Sequence, residues 1–282
     1  MNVGAVFSSL NVRDISRLRI TVPPLPEQRA IAATLGALDD KIESNVRAIE
    51  LCEALGASIL EDELGLDVYG YPHYGEATLG DRLSLLETGS RPRGGVQAGG
   101  RGVPSLGAEN IQSAGTVIAK QFKMVPDDFA GRMRRGRLAD GDVLVYKDGG
   151  TPGNFTPHVS AFGEGFPAET ATINEHVYRV RATGALSQAT LYWLLRSPWM
   201  DAEMRKRGTG VAIPGLNQSN FRSLPFPNVG DAGLLRLSER LDPLFRVMLQ
   251  VGKESQRLGA LRDALLPELL SGRIKGPAAE AA

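Results

Sequence analysis

Few residues in this sequence have the type and spacing that covalent chemistry requires. There are three histidines, His73, His158 and His176, and one cysteine, Cys52. A single cysteine cannot form an internal disulfide, and with three scattered histidines it cannot build a zinc cluster. The histidines read as structural or surface groups. A phosphate-binding loop needs Gly-x4-Gly-Lys-Ser/Thr, and Gly252-Lys253-Glu254 lacks both the upstream glycine and the hydroxyl. Metal-dependent nucleases often carry an acidic residue two before a lysine, and two before Lys147 stands Val145. No Asn-Pro-Pro-aromatic run for gripping a flipped base is present, and no Gly-x-Ser-x-Gly elbow. The expectation is a chain without catalytic residues, bound metal or cofactor.

The residue type that does cluster is the cation. Arg91, Arg93 and Arg101 flank a glycine-rich stretch, Arg132, Arg134, Arg135 and Arg137 form a second group, and Arg205, Lys206 and Arg207 a third. The whole chain of 282 residues is neutral, with 32 Lys/Arg and 32 Asp/Glu. Residues 68–229, however, hold 18 Lys/Arg against 14 Asp/Glu, a net charge of +4. Basic loops are the footprint of phosphate binding, and equally of a solvated surface. The remaining bulk properties are those of an ordinary globular protein, 42% hydrophobic and 23% charged, long enough for one large or two smaller domains. No apolar stretch reaches membrane-spanning length, no secretory signal opens the chain, and nothing calls for an oxidising compartment, so a cytoplasmic protein is expected.

The elements that must position these cations are organised by an internal repeat. Gly4-Ala-Val-Phe-Ser-Ser-Leu-Asn11 recurs as Gly210-Val-Ala-Ile-Pro-Gly-Leu-Asn217, with Ile15, Leu18 and Ile20 matching Phe221, Leu224 and Phe226. Each copy reads as a strand-like segment that runs through prolines into a long helical pattern. In the first, Ile31, Leu35, Leu38, Ile42, Ile49, Cys52 and Ile59 form a seam interrupted by Asn45 and Gly56. A helix over 27–64, opened by Pro26-Glu27, would be roughly 57 Å long. The second seam runs from Leu234 to Leu269, with Pro243 expected to kink or restart the helix and Asp242 to cap it. The narrow seams predict an antiparallel coiled coil, with Asn45 fixing register. Between the helices, short apolar runs such as Asp142-Val-Leu-Val-Tyr146 and Val177-Tyr-Arg-Val180 read as strands, and 189–196 and 198–205 as a helical pair. The fold class is α+β: one loop-rich mixed domain plus two long helices.

These residues carry a resemblance. Leu18-Arg-Ile-Thr-Val-Pro-Pro-Leu-Pro-Glu-Gln-Arg-Ala-Ile-Ala32, followed by Leu38-Asp-Asp-Lys-Ile42, resembles the segment that opens the conserved helix of type I restriction–modification specificity subunits. Leu265-Leu-Pro-Glu-Leu-Leu-Ser-Gly272 resembles the usual end of that helix, and Leu10-Asn11 and Leu216-Asn217 the motif closing each target recognition domain. Thr88-Gly-Ser-Arg-Pro92 and the glycine-rich run 141–153 are similar to segments inside that domain. The resemblance implies a non-catalytic subunit that binds double-stranded DNA. It would recruit methyltransferase subunits and, through them, the restriction motor subunit. It also divides the chain: 1–24 as the end of a preceding recognition domain, 25–67 the first long helix, 68–229 the recognition domain, 230–275 the second helix and 276–282 a flexible tail. Family members usually carry two recognition domains. This half-length form is expected to pair with its own copy or with another half-subunit to read a bipartite site.

Base readout in the major groove uses paired donors and acceptors, arginine for guanine and asparagine or glutamine for adenine. The candidate DNA-binding residues are Ser90, Arg91 and Arg93, then Lys147, Asn154 and Thr156 around the Gly149-Gly150 turn, then Arg205, Lys206, Arg207 and Thr209 before the closing motif. The 132–137 cluster fits a phosphate or partner patch better than base readout. The alternative function is a coiled-coil assembly module with little sequence-specific DNA binding of its own.

Overall fold

The computed structural model describes residues 11–19, 22–98, 100–110, 112–117, 122–151, 154–210 and 214–275. Residues 4–10 and Ile20 of the first repeat copy, 211–213 of the second and the tail 276–282 lie outside the described residues. In chain order the helices are α1 (Val12–Ser16), α2 (Leu25–Leu64), α3 (Asp127–Arg132), α4 (Gln188–Arg196), α5 (Pro198–Arg207), α6 (Gln218–Arg222) and α7 (Asp231–Leu270). The strands are β1 (Tyr74–Thr78), β2 (Leu83–Thr88), β3 (Gln97–Ala98), β4 (Val103–Leu106), β5 (Lys123–Val125), β6 (Asp142–Tyr146), β7 (Gly150–Thr151), β8 (Asn154–Phe155), β9 (His158–Phe162), β10 (Thr172–Ile173), β11 (Val177–Ala182) and β12 (Pro225–Pro227). They fall into two compact units, Met1–Asp40 with Gly259–Ala282, and Lys41–Leu258.

The strand-like segments expected in the repeat lie mostly outside the described residues, and what is described is the end of each copy. In both copies its asparagine caps a short helix. Asn11 Oδ1 accepts from the Asp14 N–H at 3.0 Å, and Asn217 Oδ1 from the Asn220 N–H at 2.8 Å. A side-chain oxygen that satisfies an otherwise orphaned N–H favours helix initiation over an extended chain. After the second copy comes a strand, β12, which pairs antiparallel with β1. There Phe221, Leu224 and Phe226 are fully buried, whereas Ile15 and Leu18 of the first copy are exposed.

The long helices are antiparallel, as expected. In the first unit Arg262 pairs with Asp39 at 2.7 Å, and Ile31 and Leu269 are buried. In the second unit Lys41 meets Glu254 at 3.0 Å, Arg236 meets Glu63 at 2.5 Å and Arg240 meets Asp62 at 3.7 Å. Asn45 is buried on this seam. Its amide donates to Glu254 Oε2 at 2.8 Å and to Ser255 Oγ at 3.1 Å, and its carbonyl accepts from Lys41 Nζ at 3.0 Å. A polar group satisfied in one alignment only penalises every slipped register.

The expected break at Pro243 does not occur, because α7 runs unbroken through it. Leu241, Phe245 and Met248 on either side of the proline are buried, and that packing holds the helix across the lost hydrogen bond. Asp242 caps nothing. Its carboxylate accepts from Ser187 Oγ at 2.7 Å, and Ser187 in turn caps α4 by accepting from the Thr190 N–H at 3.1 Å.

In the second unit β2, β11, β6 and β9 form an antiparallel sheet in the order β2-β11-β6-β9. Its two faces follow the period-2 alternation of strands. Val143 and Val145 of β6 and Tyr178 and Val180 of β11 face the main core. That core also holds Trp193 of α4, Ile49, Ile59 and Leu60 of α2, and Leu234, Leu241 and Phe245 of α7. Over this span the long helices are therefore part of the domain's core rather than a free coiled coil. On the opposite face Leu144, Phe162 and Val177 join Leu106 and Ile173 in a smaller cluster. This cluster joins the sheet to the second one, ordered β10-β4-β5-β3.

Candidate nucleic-acid interface

Strand register alone gathers the candidate loops. Thr88, the last residue of β2, lies opposite Tyr178, the second of β11, and Val177 lies opposite Tyr146, the last of β6. Tyr146 in turn lies opposite His158, the first of β9. Segments 89–93, 147–151, 154–157 and 174–176 therefore leave the sheet at one rim. The segment before α6 is sewn to the same rim. Leu216 N–H donates to the Lys147 carbonyl at 2.7 Å, Gly149 N–H to Pro214 at 2.9 Å, and Thr209 and Gly215 exchange two backbone bonds. Tyr178 Oη donates to the Leu216 carbonyl at 2.8 Å beneath this seam. Its phenol is pushed up to about 12, first by burial and then by the Asp148 carboxylate. Arg205 Nη1 reaches the Phe155 carbonyl at 2.9 Å, tying the end of α5 to β8. All ten expected residues thus stand on segments bound to this rim.

They are not equally available. Arg91 Nε lies 3.1 Å from Glu175 Oε2, and Lys147 Nζ lies 2.6 Å from Asp148 Oδ2 and over the Tyr178 ring. His176 joins the two pairs, with Nδ1 3.0 Å from Asp148 and Nε2 3.3 Å from Glu175. One polar chain, Arg91–Glu175–His176–Asp148–Lys147, thus runs across the rim. Arg205 pairs with Asp201 at 2.6 Å, and Arg207 pairs with Glu203. Lys206 approaches Glu203 only at 4.0 Å and remains exposed. Ser90, Arg93, Asn154 and Thr209 are exposed, and Thr156 is half-buried. Glu175, Asp148 and His176 were missed by residue type, since two are acidic and the histidine reads as structural. The only signal was the polar triplet Asn174-Glu175-His176 directly before a strand.

The Gly149-Gly150 pair has a steric reason. A Cβ on Gly149 would meet the Tyr146 ring, and one on Gly150, whose φ is +108°, would overlap the Asn154 carbonyl. The backbone of the turn thus packs directly on the rim. Next to it His158 stacks on Tyr146 with ring centroids 6.2 Å apart. Burial depresses the His158 pKa below 6.5, and the positive charges of Arg205 and Arg196 add to the effect against Asp201. A depressed histidine pKa means that its contribution to stability is complete above 6.5 and is lost as pH falls below that value. The His158 ring signals should therefore titrate below 6.5 by NMR, and Arg205→Gln should move the midpoint upward. A midpoint at or above 6.5 contradicts this account.

The rim offers hydrogen-bond donors and acceptors. Among the described residues no group of three or more His, Cys, Asp or Glu is placed to hold a metal ion. Cys52 lies on α2, its thiol pKa raised by burial and then by Glu53. By architecture the second unit is a loop platform at one end of an antiparallel sheet, packed on two antiparallel helices. Residues 1–53 match the family model described as type I restriction modification DNA specificity domain. Over 57 residues, 20% of this chain, the sequence is 40% identical to a protein of Methanocaldococcus jannaschii described as a type I restriction enzyme MjaX specificity subunit. The N-terminal fifth of the chain is thus similar to type I restriction–modification specificity subunits.

One solved structure shares the fold, and a second is similar more loosely. The S subunit of a type I restriction–modification system from M. genitalium matches 87% of this chain at a TM-score of 0.52 and 17% identity. The HsdS subunit of Thermoanaerobacter tengcongensis matches 96% of it at a TM-score of 0.40 and 18% identity. The matched stretches span 61% and 65% of those two chains and 13% of the M. jannaschii protein.

Proposed function

We propose that this chain is a non-catalytic DNA-reading subunit of a type I restriction–modification complex. Its rim reads one half of a bipartite site in double-stranded DNA. Its helices dock methyltransferase subunits and, through them, the restriction motor subunit. The observation that carries the reading is the convergence of every candidate loop on one rim of one sheet. In this reading Asn154 and Arg91 face base edges, and Lys206, Arg93 and Ser90 meet phosphates. Pairing with its own copy predicts a palindromic bipartite site, and pairing with a different half-subunit an asymmetric one. No described helix is long and apolar enough to cross a membrane, and the proposed setting is the cytoplasm, with DNA.

Selection from a random duplex library by the purified chain, near 0.15 M salt, tests this. Enrichment of a short motif bound about a thousandfold more tightly than bulk DNA supports the reading. Salt-sensitive association blind to sequence overturns it and favours the assembly-module alternative. One observation speaks for that alternative: Arg91, Lys147, Arg205 and Arg207 already have carboxylate partners within the chain.

A further inference from the structure

The arginines that sequence reasoning ranked lowest for readout are those whose charge the fold leaves unspent. Arg134, Arg135 and Arg137 are exposed, and among the described residues none of them forms an ion pair. Arg132 makes only a surface pair with Asp128 at 2.7 Å, with both side chains mostly in solvent. A phosphate would have to displace carboxylates from Arg91, Arg205 or Arg207, but not from Arg134 or Arg135.

The loop bearing them is fixed on both sides. Gly136 N–H donates to Glu87 Oε1 at 2.9 Å, Ile173 N–H to the Gly136 carbonyl at 2.8 Å, and Leu138 N–H to the Ala171 carbonyl at 2.9 Å. Gly136 packs against Gly89 so closely that a Cβ there would overlap the Gly89 backbone. This close approach lays the arginine loop across the end of β2, beside the rim. The result is an open pocket of about 300 Å³, with Thr88, Gly89 and Ser90 as one wall and Phe129 and Arg132–Arg135 as the other. Two hydroxyl residues and three arginines thus line one pocket from two segments distant in sequence, and backbone hydrogen bonds hold the arginine loop in place.

We infer that this pocket is a phosphodiester subsite, which holds one backbone phosphate of the strand lying along the rim and so sets the register of readout. The inference rests on the DNA-reading proposal for its natural ligand, but the pocket's affinity for phosphate oxyanions does not. Two measurements separate them. In the first, inorganic phosphate is titrated into the ¹⁵N-labelled chain. Shifts concentrated on Ser90, Arg134 and Arg135 are expected, and are lost in Arg134→Gln/Arg135→Gln. Their absence overturns the subsite.

In the second, duplex binding is followed against salt for the same double variant, with Arg134→Lys/Arg135→Lys as the charge-preserving control. One lost phosphate should flatten the log–log salt slope by about one and weaken binding about tenfold near 0.1 M salt. The loss should be equal on all sequences, with binding largely kept in the lysine pair. A variant that keeps wild-type affinity and slope overturns the subsite, as does a loss confined to one sequence, which would mark a base contact. If phosphate binds the pocket but the intact chain selects no DNA sequence, the reading function fails and the subsite stands.

Discussion

Asp142→Ala should destabilise the second unit by about 3–4 kcal/mol, so that it unfolds at urea concentrations where the parent chain is still folded. The Asp142 side chain is fully buried on the sheet face opposite the main core. It receives Arg179 Nε at 2.6 Å, Arg181 Nε at 2.5 Å and the Ala139 N–H at 2.7 Å. Arg179 is held on its other side by Glu87 at 3.1 Å. Removing one partner of a buried ionic network costs about 3–5 kcal/mol, because the other charges stay desolvated and unpaired. Arg181 is about a third exposed and recovers some hydration, so the lower half of that range applies. Domains are typically stable by about 5–15 kcal/mol, so even this loss is a large fraction. Asp128→Ala, which breaks the exposed Arg132 pair, is the control and should change stability by about 0.5 kcal/mol or less. Urea unfolding of the three chains decides the matter. An Asp142→Ala midpoint close to that of the control would show that Arg179 and Arg181 find other partners.

That network illustrates what could be read from the sequence and what could not. The run 142–146 was legible as a strand because its apolar side chains are β-branched or large and are bounded by Gly141 and Gly149. Its charged first residue gave no hint of burial, because its partners come from a strand more than thirty residues away. The long helices were legible because a seam repeated over forty residues carries many independent signals. Pro243 misled for the opposite reason: a local rule was applied where packing on both sides outweighed one hydrogen bond. The ten candidate residues were chosen by their types and by glycine punctuation. Their convergence was not legible, since it depends on β2 meeting β11 and β11 meeting β6, pairings that no local pattern encodes. Nor was the difference between an engaged cation such as Arg207 and an unengaged one such as Arg134. That difference lies in the register that brings a carboxylate within reach, and charge counting cannot see it.

Gly56→Ala should destabilise the protein even though helix propensity predicts the reverse. Alanine is favoured over glycine inside a helix by about 0.8–1 kcal/mol, so on α2 taken alone the substitution is a gain. A Cβ at Gly56, however, would fall inside the Trp193 indole. Trp193 has no room to withdraw. It is buried, packs edge-on against Tyr192 and Phe245, and donates Nε1–H to the Glu53 carbonyl at 3.2 Å. Tyr192 is pinned as well: its hydroxyl donates to the Glu53 carboxylate and accepts from the Ala114 N–H at 2.9 Å. Overpacking of this kind costs about 1–3 kcal/mol and outweighs the propensity gain. Gly36 on α2 and Gly259 on α7 supply the comparison, since nothing lies within 4 Å of a Cβ at either. Gly36→Ala and Gly259→Ala should each stabilise by up to about 1 kcal/mol. The sign of the effect at Gly56 therefore reports on one contact, the approach of α2 to α4. Because α4 also packs on the sheet that carries the rim, this glycine sets how closely the long helix can approach that sheet. A Trp193→Leu background should remove most of the Gly56→Ala penalty if the indole is its source, and a double-mutant cycle by urea unfolding measures that coupling. Additive effects in the cycle would place the cost in α2 itself and remove the packing explanation for an interruption of the seam at this position.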